Sequence, residues 1–265
     1  MPTVRVNGID IYHERSGEGR RLLFFNGSGA TLETTGPMID AYRARFEVLV
    51  HDQRGLGRSE IPPAPYSMED YAADALALLD FVGWSSCRVM GISFGGMVAQ
   101  EFAVVAPHRV ERLVLACTSP GGTGGSSYPL HELGPLDDAT RGERMITLLD
   151  TRFTPEYLAN RPADQAIAAM YAARSKLEKN AERLRGEREQ LLARSGHDVM
   201  DRLPKISCPT LVAAGRYDGI APLGNSEAIV SRIPDSELRV YEGGHVFFLQ
   251  DGRAITEILD FLDLP

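Results

Sequence analysis

The chain has 265 residues, of which 43% are hydrophobic, and its formal net charge is −8 at pH 7. This length suits one large α/β domain or a domain with an insertion, and the hydrophobic content is sufficient for a sizeable core. The negative charge and the lack of a dominant basic patch argue against nucleic-acid binding, and no apolar run approaches the ~20 residues that span a membrane.

The amino-terminal residues 1–8 lack the apolar core of a signal peptide. The three cysteines, Cys87, Cys117 and Cys208, form an odd set whose spacing matches no zinc motif. Free thiols are typical of a reducing compartment. We therefore expect a cytoplasmic protein that binds no metal.

Short apolar runs predict strands along the chain, over residues 3–6, 9–13, 22–25, 46–50, 88–92, 113–117, 210–214 and 238–241. Helical spacing of apolar residues predicts helices among them, over residues 31–45, 68–82, 95–106, 224–232 and 251–262. Strands separated by helix-length spacers indicate a mostly parallel sheet with helices on both faces. The turn at Asn7-Gly8 predicts an antiparallel hairpin at the start of the chain.

Residues 119–203 interrupt this alternation. After a Gly-rich loop they are predicted to be helical near residues 141–153, 155–159, 163–179 and 180–194. The alternation of arginine and glutamate over residues 183–194 predicts a solvated helix face. Because strands and helices resume afterwards, we predict an α/β core formed by residues 1–118 and 204–265, and a helical cap formed by residues 119–203.

A nucleophile motif lies between a predicted strand and a predicted helix, in Gly91-Ile92-Ser93-Phe94-Gly95. In this context G-x-S-x-G is typical of a nucleophile elbow, where the glycines allow close packing and the serine takes a strained backbone. The turn places the Ser93 hydroxyl beside the N–H groups of a helix N-terminus. A Gly-rich turn with an inert serine is the alternative, and the strand and helix around the motif favour the nucleophile.

A serine nucleophile needs a base and a group that orients the base. Among the six histidines, His245 follows a predicted strand and comes last in chain order, as the Ser-Asp-His order of such folds requires. His51 is the alternative base. Asp218 also follows a predicted strand and is the predicted acid, whereas its rivals are Asp235, at the opposite end of a strand, and Asp251.

The oxyanion of such a reaction needs two backbone N–H donors. Phe94, which follows the nucleophile, is predicted to supply one of them. The other is expected from the Gly-rich loop after strand 22–25, where Ser28 is the predicted donor and Gly27 or Gly29 are alternatives. Asn26, Gly27 and Gly29 are predicted to contact the substrate.

The chain resembles the α/β-hydrolase superfamily over essentially its full length. The matching segments are Asn26-Gly27-Ser28-Gly29, Asp52-Gln53-Arg54-Gly55-Leu56-Gly57-Arg58-Ser59, Gly91-Ile92-Ser93-Phe94-Gly95-Gly96, Gly215-Arg216-Tyr217-Asp218 with Pro222, and Gly243-Gly244-His245. The resemblance implies an α/β-hydrolase fold, with an eight-stranded, mostly parallel sheet and a helical cap after the sixth strand.

Within the superfamily, the chain is similar to small bacterial 3-oxoadipate enol-lactonases, haloperoxidase-like esterases and C–C bond hydrolases. Asn26 replaces the usual histidine of the oxyanion loop, as it tends to do in enol-lactonases. Gly29 replaces a proline that is usual in perhydrolases, which counts against that activity. Ser93 argues against haloalkane dehalogenases and epoxide hydrolases, because both use an aspartate nucleophile.

We therefore predict a serine hydrolase that cleaves a small carboxylic ester or lactone through an acyl-enzyme and needs no cofactor. The predicted partner is this small molecule, with no nucleic acid or membrane, and a homo-oligomer is compatible with the sequence. One alternative is a hydrolase-like protein that binds ligand without turnover. The other is a C–C bond hydrolase with a cationic group in the cap, for which the candidates are Arg141, Arg144, Arg152 and Arg174.

Overall fold

The computed structural model describes residues 2–175 and 180–265. Within these ranges an eight-stranded sheet has the strand order β1-β2-β4-β3-β5-β6-β7-β8. Strand β2 is antiparallel to both of its neighbours, and the other pairs are parallel. The strands are β1 Thr3–Val6, β2 Ile9–Ser16, β3 Arg20–Phe25, β4 Phe46–His51, β5 Cys87–Ile92, β6 Val110–Ala116, β7 Thr210–Gly215 and β8 Ser236–Tyr241.

The α-helices follow the predicted positions closely. The predicted end of the helix over 163–179 lies outside the described residues. Throughout the described part of the chain, each helix is too short or too polar to cross a bilayer. The helices are α1 Leu32–Arg43, α2 Met68–Phe81, α3 Phe94–Val105, α4 Asp138–Leu149, α5 Pro155–Leu158, α6 Pro162–Ser175, α7 Ala181–Ser195, α8 Leu223–Val230 and α9 Ala254–Asp263.

Helices cover both faces of the sheet, because successive side chains of a strand point to opposite faces. On one face, the Phe25 ring lies 5.9 Å from that of Phe102 in α3, within a cluster that also contains Tyr71 of α2. On the other face, the Phe24 ring lies 5.1 Å from that of Tyr42 in α1. The predicted layered sheet is confirmed.

Helices α4 to α7 lie between β6 and β7 in the chain and contact loops at the carboxyl ends of other strands. The Gly219 N–H, after β7, donates to the Leu148 carbonyl of α4 at 3.1 Å. Arg185 of α7 donates to the Pro62 carbonyl at 2.8 Å, in the loop after β4. These helices therefore pack on the edge of the sheet where the predicted site residues lie.

The prediction of a solvated face over residues 183–194 is wrong in part. Gly186, Gln190, Ala193 and Arg194 of α7 are buried. They are spaced by three or four residues and so share one side of the helix. That side packs against the loops of the sheet edge, whereas Arg188 on the other side is exposed.

Candidate active site

Ser93 lies at the sharp junction between β5 and α3, with a left-handed backbone at φ 56° and ψ −116°. A Cβ atom on Gly91 would lie 2.4 Å from the Gly95 carbonyl oxygen, and one on Gly95 would lie 2.2 Å from the Phe25 carbonyl oxygen. Side chains at either position would collide with backbone, so the two glycines permit the tight junction. The backbone at Ser93 therefore has the geometry that the elbow motif predicts.

The structure brings Ser93, His245 and Asp218 into one hydrogen-bonded chain. The His245 Nε2 atom lies 2.9 Å from the Ser93 Oγ atom, and the His245 Nδ1 atom lies 2.8 Å from the Asp218 Oδ2 atom. All three residues are buried. The other carboxylate oxygen, Asp218 Oδ1, accepts from the N–H groups of Ile220 and Ala221, each at 2.8 Å. This is the arrangement in which an imidazole can take a proton from a serine hydroxyl.

The loops after β7 and β8 hold the acid and the base together. These strands are hydrogen-bonded neighbours, and the Tyr217 N–H donates to the Gly243 carbonyl across the two loops at 2.9 Å. From α4, the Leu149 carbonyl accepts from the His245 N–H at 2.6 Å. The position of His245 therefore depends both on the sheet and on the helices inserted after β6.

The rival residues lie in other surroundings. His51 is buried, its ring lies 5.9 Å from that of Phe25, and burial lowers its pKa to about 4.

The rival acids also bond groups other than the base. Asp251 is bound by Arg253, whose hydrogen bonds lower the pKa of this carboxyl to about 2. The Asp235 carbonyl bonds the first residue of β7, at the opposite edge of the sheet. Only Asp218 among the candidate acids bonds the ring of His245.

The predicted oxyanion loop lies against the nucleophile. A Cβ atom on Gly27 would lie 3.6 Å from the Ser93 Cβ atom. The N–H group of Gly29 donates to the Gln190 Oε1 atom of α7 at 2.8 Å, so that amide is bound by the protein. The N–H groups of Ser28 and Phe94 form no hydrogen bond with a described residue. This favours Ser28 and Phe94 over Gly29 as the pair of donors.

Asn26 is the remaining predicted contact residue of this loop. It is 1% exposed, and neither of its side-chain polar atoms has a hydrogen-bond partner in the described chain. Its carbonyl accepts from the Gln53 Nε2 atom at 2.8 Å. The backbone of Asn26 is thus held by the loop after β4, which leaves its buried amide group for another contact.

Two residues of α7 were missed by the sequence analysis, Gln190 and Arg194. Gln190 is 0% exposed and binds the oxyanion loop, as described above. Arg194 is 4% exposed, and burial lowers its pKa to about 10. Its Nη1 atom donates to the Tyr128 carbonyl at 2.7 Å. No local motif marks either residue, because their burial depends on which side of α7 packs on the sheet edge.

Of the four arginines that were predicted as candidate cations of the cap, the three with described side chains are paired or exposed, unlike Arg194. Arg141 pairs with Asp138, and Arg152 pairs with the buried Asp150 at 2.7 Å. Arg144 is exposed. The side chain of Arg174 lies outside the described residues.

The donor atoms of Cys117, Asp218 and His245 lie within 4.8 Å of one another, which is close enough for a metal site. The chemistry of these groups does not favour one. Burial raises the pKa of the Cys117 thiol well above its usual value, and a neutral thiol is a poor metal ligand. Asp218 and His245 already bond each other. This arrangement fits proton transfer better than metal binding.

Comparison with known proteins identifies the fold family of this chain. A family described as alpha/beta hydrolase fold matches residues 20–252. The poly(3-hydroxyalkanoate) depolymerase of Ectopseudomonas oleovorans is 32% identical over 240 residues, which cover 90% of this chain and 82% of that protein. A putative carbamate hydrolase RutD of Azorhizobium caulinodans is 28% identical over 265 residues, covering 98% of this chain and 97% of its own.

The fold is shared with a solved enol-lactonase from Burkholderia xenovorans LB400. The two structures superpose with a TM-score of 0.82 at 22% identity, covering 99% of this chain and 100% of the lactonase. The predicted fold and the predicted resemblance are confirmed by these matches. The family match extends over most of the chain and includes the segments that carry Ser93, Asp218 and His245. The chain therefore belongs to the alpha/beta hydrolase fold family.

Proposed function

We propose that this protein is a serine hydrolase that cleaves a small carboxylic ester or lactone through an acyl-enzyme. The observation that carries the proposal is the hydrogen-bonded chain from Ser93 through His245 to Asp218, at a strained turn on the carboxyl edge of the sheet. A depolymerase of hydroxyalkanoate polyesters and an enol-lactonase among the similar proteins support the choice of ester and lactone bonds.

In the proposed reaction, the Ser93 Oγ atom attacks the substrate carbonyl carbon as the His245 Nε2 atom takes the hydroxyl proton. Asp218 accepts a hydrogen bond from the Nδ1–H group and stabilises the imidazolium. The oxyanion of the tetrahedral intermediate accepts hydrogen bonds from the Ser28 and Phe94 N–H groups. The C–O bond breaks, the leaving oxygen takes the proton from His245, and water then hydrolyses the acyl-enzyme by the same steps.

The substrate site lies between the sheet edge and the helices inserted after β6. Residues 119–203 act as a cap in this proposal, on a core formed by residues 1–118 and 204–265. Asn26, Gly27 and Gly29 contact the substrate from the core side. The reaction uses protein groups and water, and its predicted partner is a small molecule.

The test is the time course of p-nitrophenol release from p-nitrophenyl acetate. We expect a rapid burst that matches the enzyme concentration, because acylation of Ser93 precedes slower hydrolysis. Ser93→Ala should remove the burst and lower kcat by roughly 10⁵-fold, with an unchanged melting temperature. Retention of a tenth of the turnover by this variant would refute Ser93 as the nucleophile. Ligand binding without turnover by the unmodified protein would support the binding-protein alternative instead.

A further inference from the structure

A cavity lies between the end of α7 and the loop after β6. Its volume is about 110 Å³. We call it the Arg194 cavity, and its lining includes Met97, Ser119, Ser126, His131, Arg194 and His197. Aspartate and glutamate are absent from its lining in the described chain, so Arg194 gives the cavity a positive charge.

The guanidinium of Arg194 is buried and forms no ion pair within the described residues. Its Nε and Nη2 atoms have no hydrogen-bond partner there, and the Asp218 carboxylate acts on its charge from beyond ion-pair distance. An arginine stays charged at physiological pH, and burying a charge that has no ion pair is unfavourable. A protein that carries this charge in a cavity wall has the electrostatics to bind an anion there.

The unpartnered atoms also have the geometry of a carboxylate fork. The Nε–H and Nη2–H groups of a guanidinium are parallel donors that bind both oxygens of one carboxylate. Arg54 of this chain shows the same edge in use, since its Nε and Nη2 atoms each lie 2.7 Å from an oxygen of Asp74. Arg194 lines the cavity, and the two guanidinium atoms that Arg54 uses to bind a carboxylate are unpartnered in Arg194.

Neutral donors complete the cavity. Burial and the nearby Arg202 lower the pKa of His197 to about 4, so its ring is neutral at pH 7. Ser126 also lies in the wall. The His197 ring and the Ser126 hydroxyl can donate to an anion without adding charge. The cavity is therefore complementary to a ligand that carries one negative charge.

The cavity is close to the nucleophile. The Met97 N–H donates to the Ser93 carbonyl at 3.2 Å, and Met97 lies one helical turn, about 6 Å, along α3 from Ser93. On the other wall, Thr118 precedes Ser119 and donates to the same Ser93 carbonyl at 2.8 Å. Arg194 also lies close enough to Asp218, which bonds His245, for the two charges to interact. A ligand held at Arg194 would therefore lie near the proposed catalytic residues.

We propose that the Arg194 cavity is a carboxylate subsite, and that the ester or lactone attacked by Ser93 carries a carboxylate group that Arg194 binds. The second part of this inference rests on the proposed function. A separate carboxylate compound that is not the substrate would satisfy the same chemistry, and the experiments below distinguish the two sources.

The kinetic test compares monomethyl glutarate with dimethyl glutarate, two esters that differ by one negative charge, by titrating the acid released. In Arg194→Gln we expect kcat/KM for the monoester to fall roughly 10- to 100-fold, the range for a lost charge-assisted hydrogen-bond pair. The diester should change less than about 3-fold. Arg188→Gln, an exposed change on the same helix, is the matched control and should leave both rates unaltered.

The binding test uses calorimetry with glutarate and the Ser93→Ala variant, which needs no turnover. We expect glutarate to bind, and Arg194→Gln in that background to weaken binding at least about 10-fold. Arg194→Lys keeps the positive charge and loses the two parallel donors of the guanidinium. Its affinity for glutarate should therefore lie between that of the protein with Arg194 and that of the Arg194→Gln variant. The lysine variant replaces the glutamine variant in this test if the latter does not fold.

The outcomes separate the two proposals. Arg194-dependent glutarate binding by a protein that hydrolyses neither ester would refute the proposed function and keep the subsite, for a carboxylate that is not a substrate. Arg194-dependent binding with equal loss of both ester activities would also point to a separate carboxylate, and would overturn the substrate part of the inference. Absence of glutarate binding to Ser93→Ala would overturn the subsite itself.

Discussion

Two buried arginines near the carboxyl edge of the sheet have opposite environments. Arg54, in the loop after β4, donates to both oxygens of Asp74, and Asn7 donates to the same carboxylate at 2.7 Å. Arg194, at the end of α7, has one hydrogen bond, to the Tyr128 carbonyl. The Asp74 carboxylate neutralises the charge of Arg54 within the protein, so Arg54 contributes to stability. The second charge is held beside a cavity, which is the pattern expected of a binding group.

The same contrast separates the proposed catalytic residues from α7. Each polar atom of the Asp218 carboxylate has a protein donor, and His245 is bonded on both ring nitrogens. Substitutions at Asp218 or His245 should therefore lower the activity on every substrate or destabilise the fold. Substitutions around Arg194 should depend on the charge of the ligand. The following predictions test this distinction, in decreasing order of expected effect.

The largest effect is expected for Asp218→Asn. An amide can donate to the imidazole and so favour the wrong tautomer of His245, and the corresponding change in a serine protease costs roughly 10⁴ in kcat. We expect a loss of this order for both the monoester and the diester of glutarate, because the defect lies in proton transfer. Steady-state kinetics on the two esters would check it. A loss confined to one ester would contradict the proposed role of Asp218.

The next effect concerns stability and compares the two arginines directly. Arg54→Met leaves Asp74 buried without its cation, and we expect a loss of about 3–5 kcal/mol in the free energy of unfolding. Arg194→Met removes a charge that has no carboxylate partner, at the cost of one hydrogen bond to a carbonyl. We expect its free energy of unfolding to stay the same or to increase, because the cost of burying that charge is removed. Urea unfolding of both variants provides the measurement. Equal losses would show that Arg194 is a structural residue.

The smallest effect is a pH dependence that arises from His51. This histidine is buried and its Nδ1 atom has no partner in the described chain, and it avoids the cost of charge by remaining neutral, because burial lowers its pKa to about 4. Between pH 6.5 and 4 the unfolded chain binds a proton at His51 and the folded chain does not. The folded state therefore loses stability as the pH falls through this window, by at most about 3 kcal/mol.

His51→Phe should reduce that loss of stability between pH 6.5 and pH 4, relative to the unmodified protein. The measurement is urea unfolding at a series of pH values, and only the slope of stability against pH is compared. His108→Gln, at an exposed position in the short turn after α3, is the control. An unchanged slope in His51→Phe would mean that His51 is not the group that titrates.

The sequence by itself determined the fold and the three residues of the hydrogen-bonded chain. Ser93, Asp218 and His245 each follow a strand whose apolar run is evident, and parallel strands bring their carboxyl ends to one edge. The glycines around Ser93 mark a junction whose geometry is local. These sequence patterns lie within a few residues of the side chains they position, so they can be recognised without a structure.

Only the tertiary structure decided which residues of α7 pack against the edge of the sheet that carries these three residues. The contact between Gly29 and Gln190 joins positions 161 residues apart, and the burial of Arg194 contradicts the polar character of its segment. Both depend on which side of α7 packs against the loops after β3 and β4. A helix rich in arginine and glutamate has no apolar stripe to specify that side, so its orientation follows from packing between distant segments.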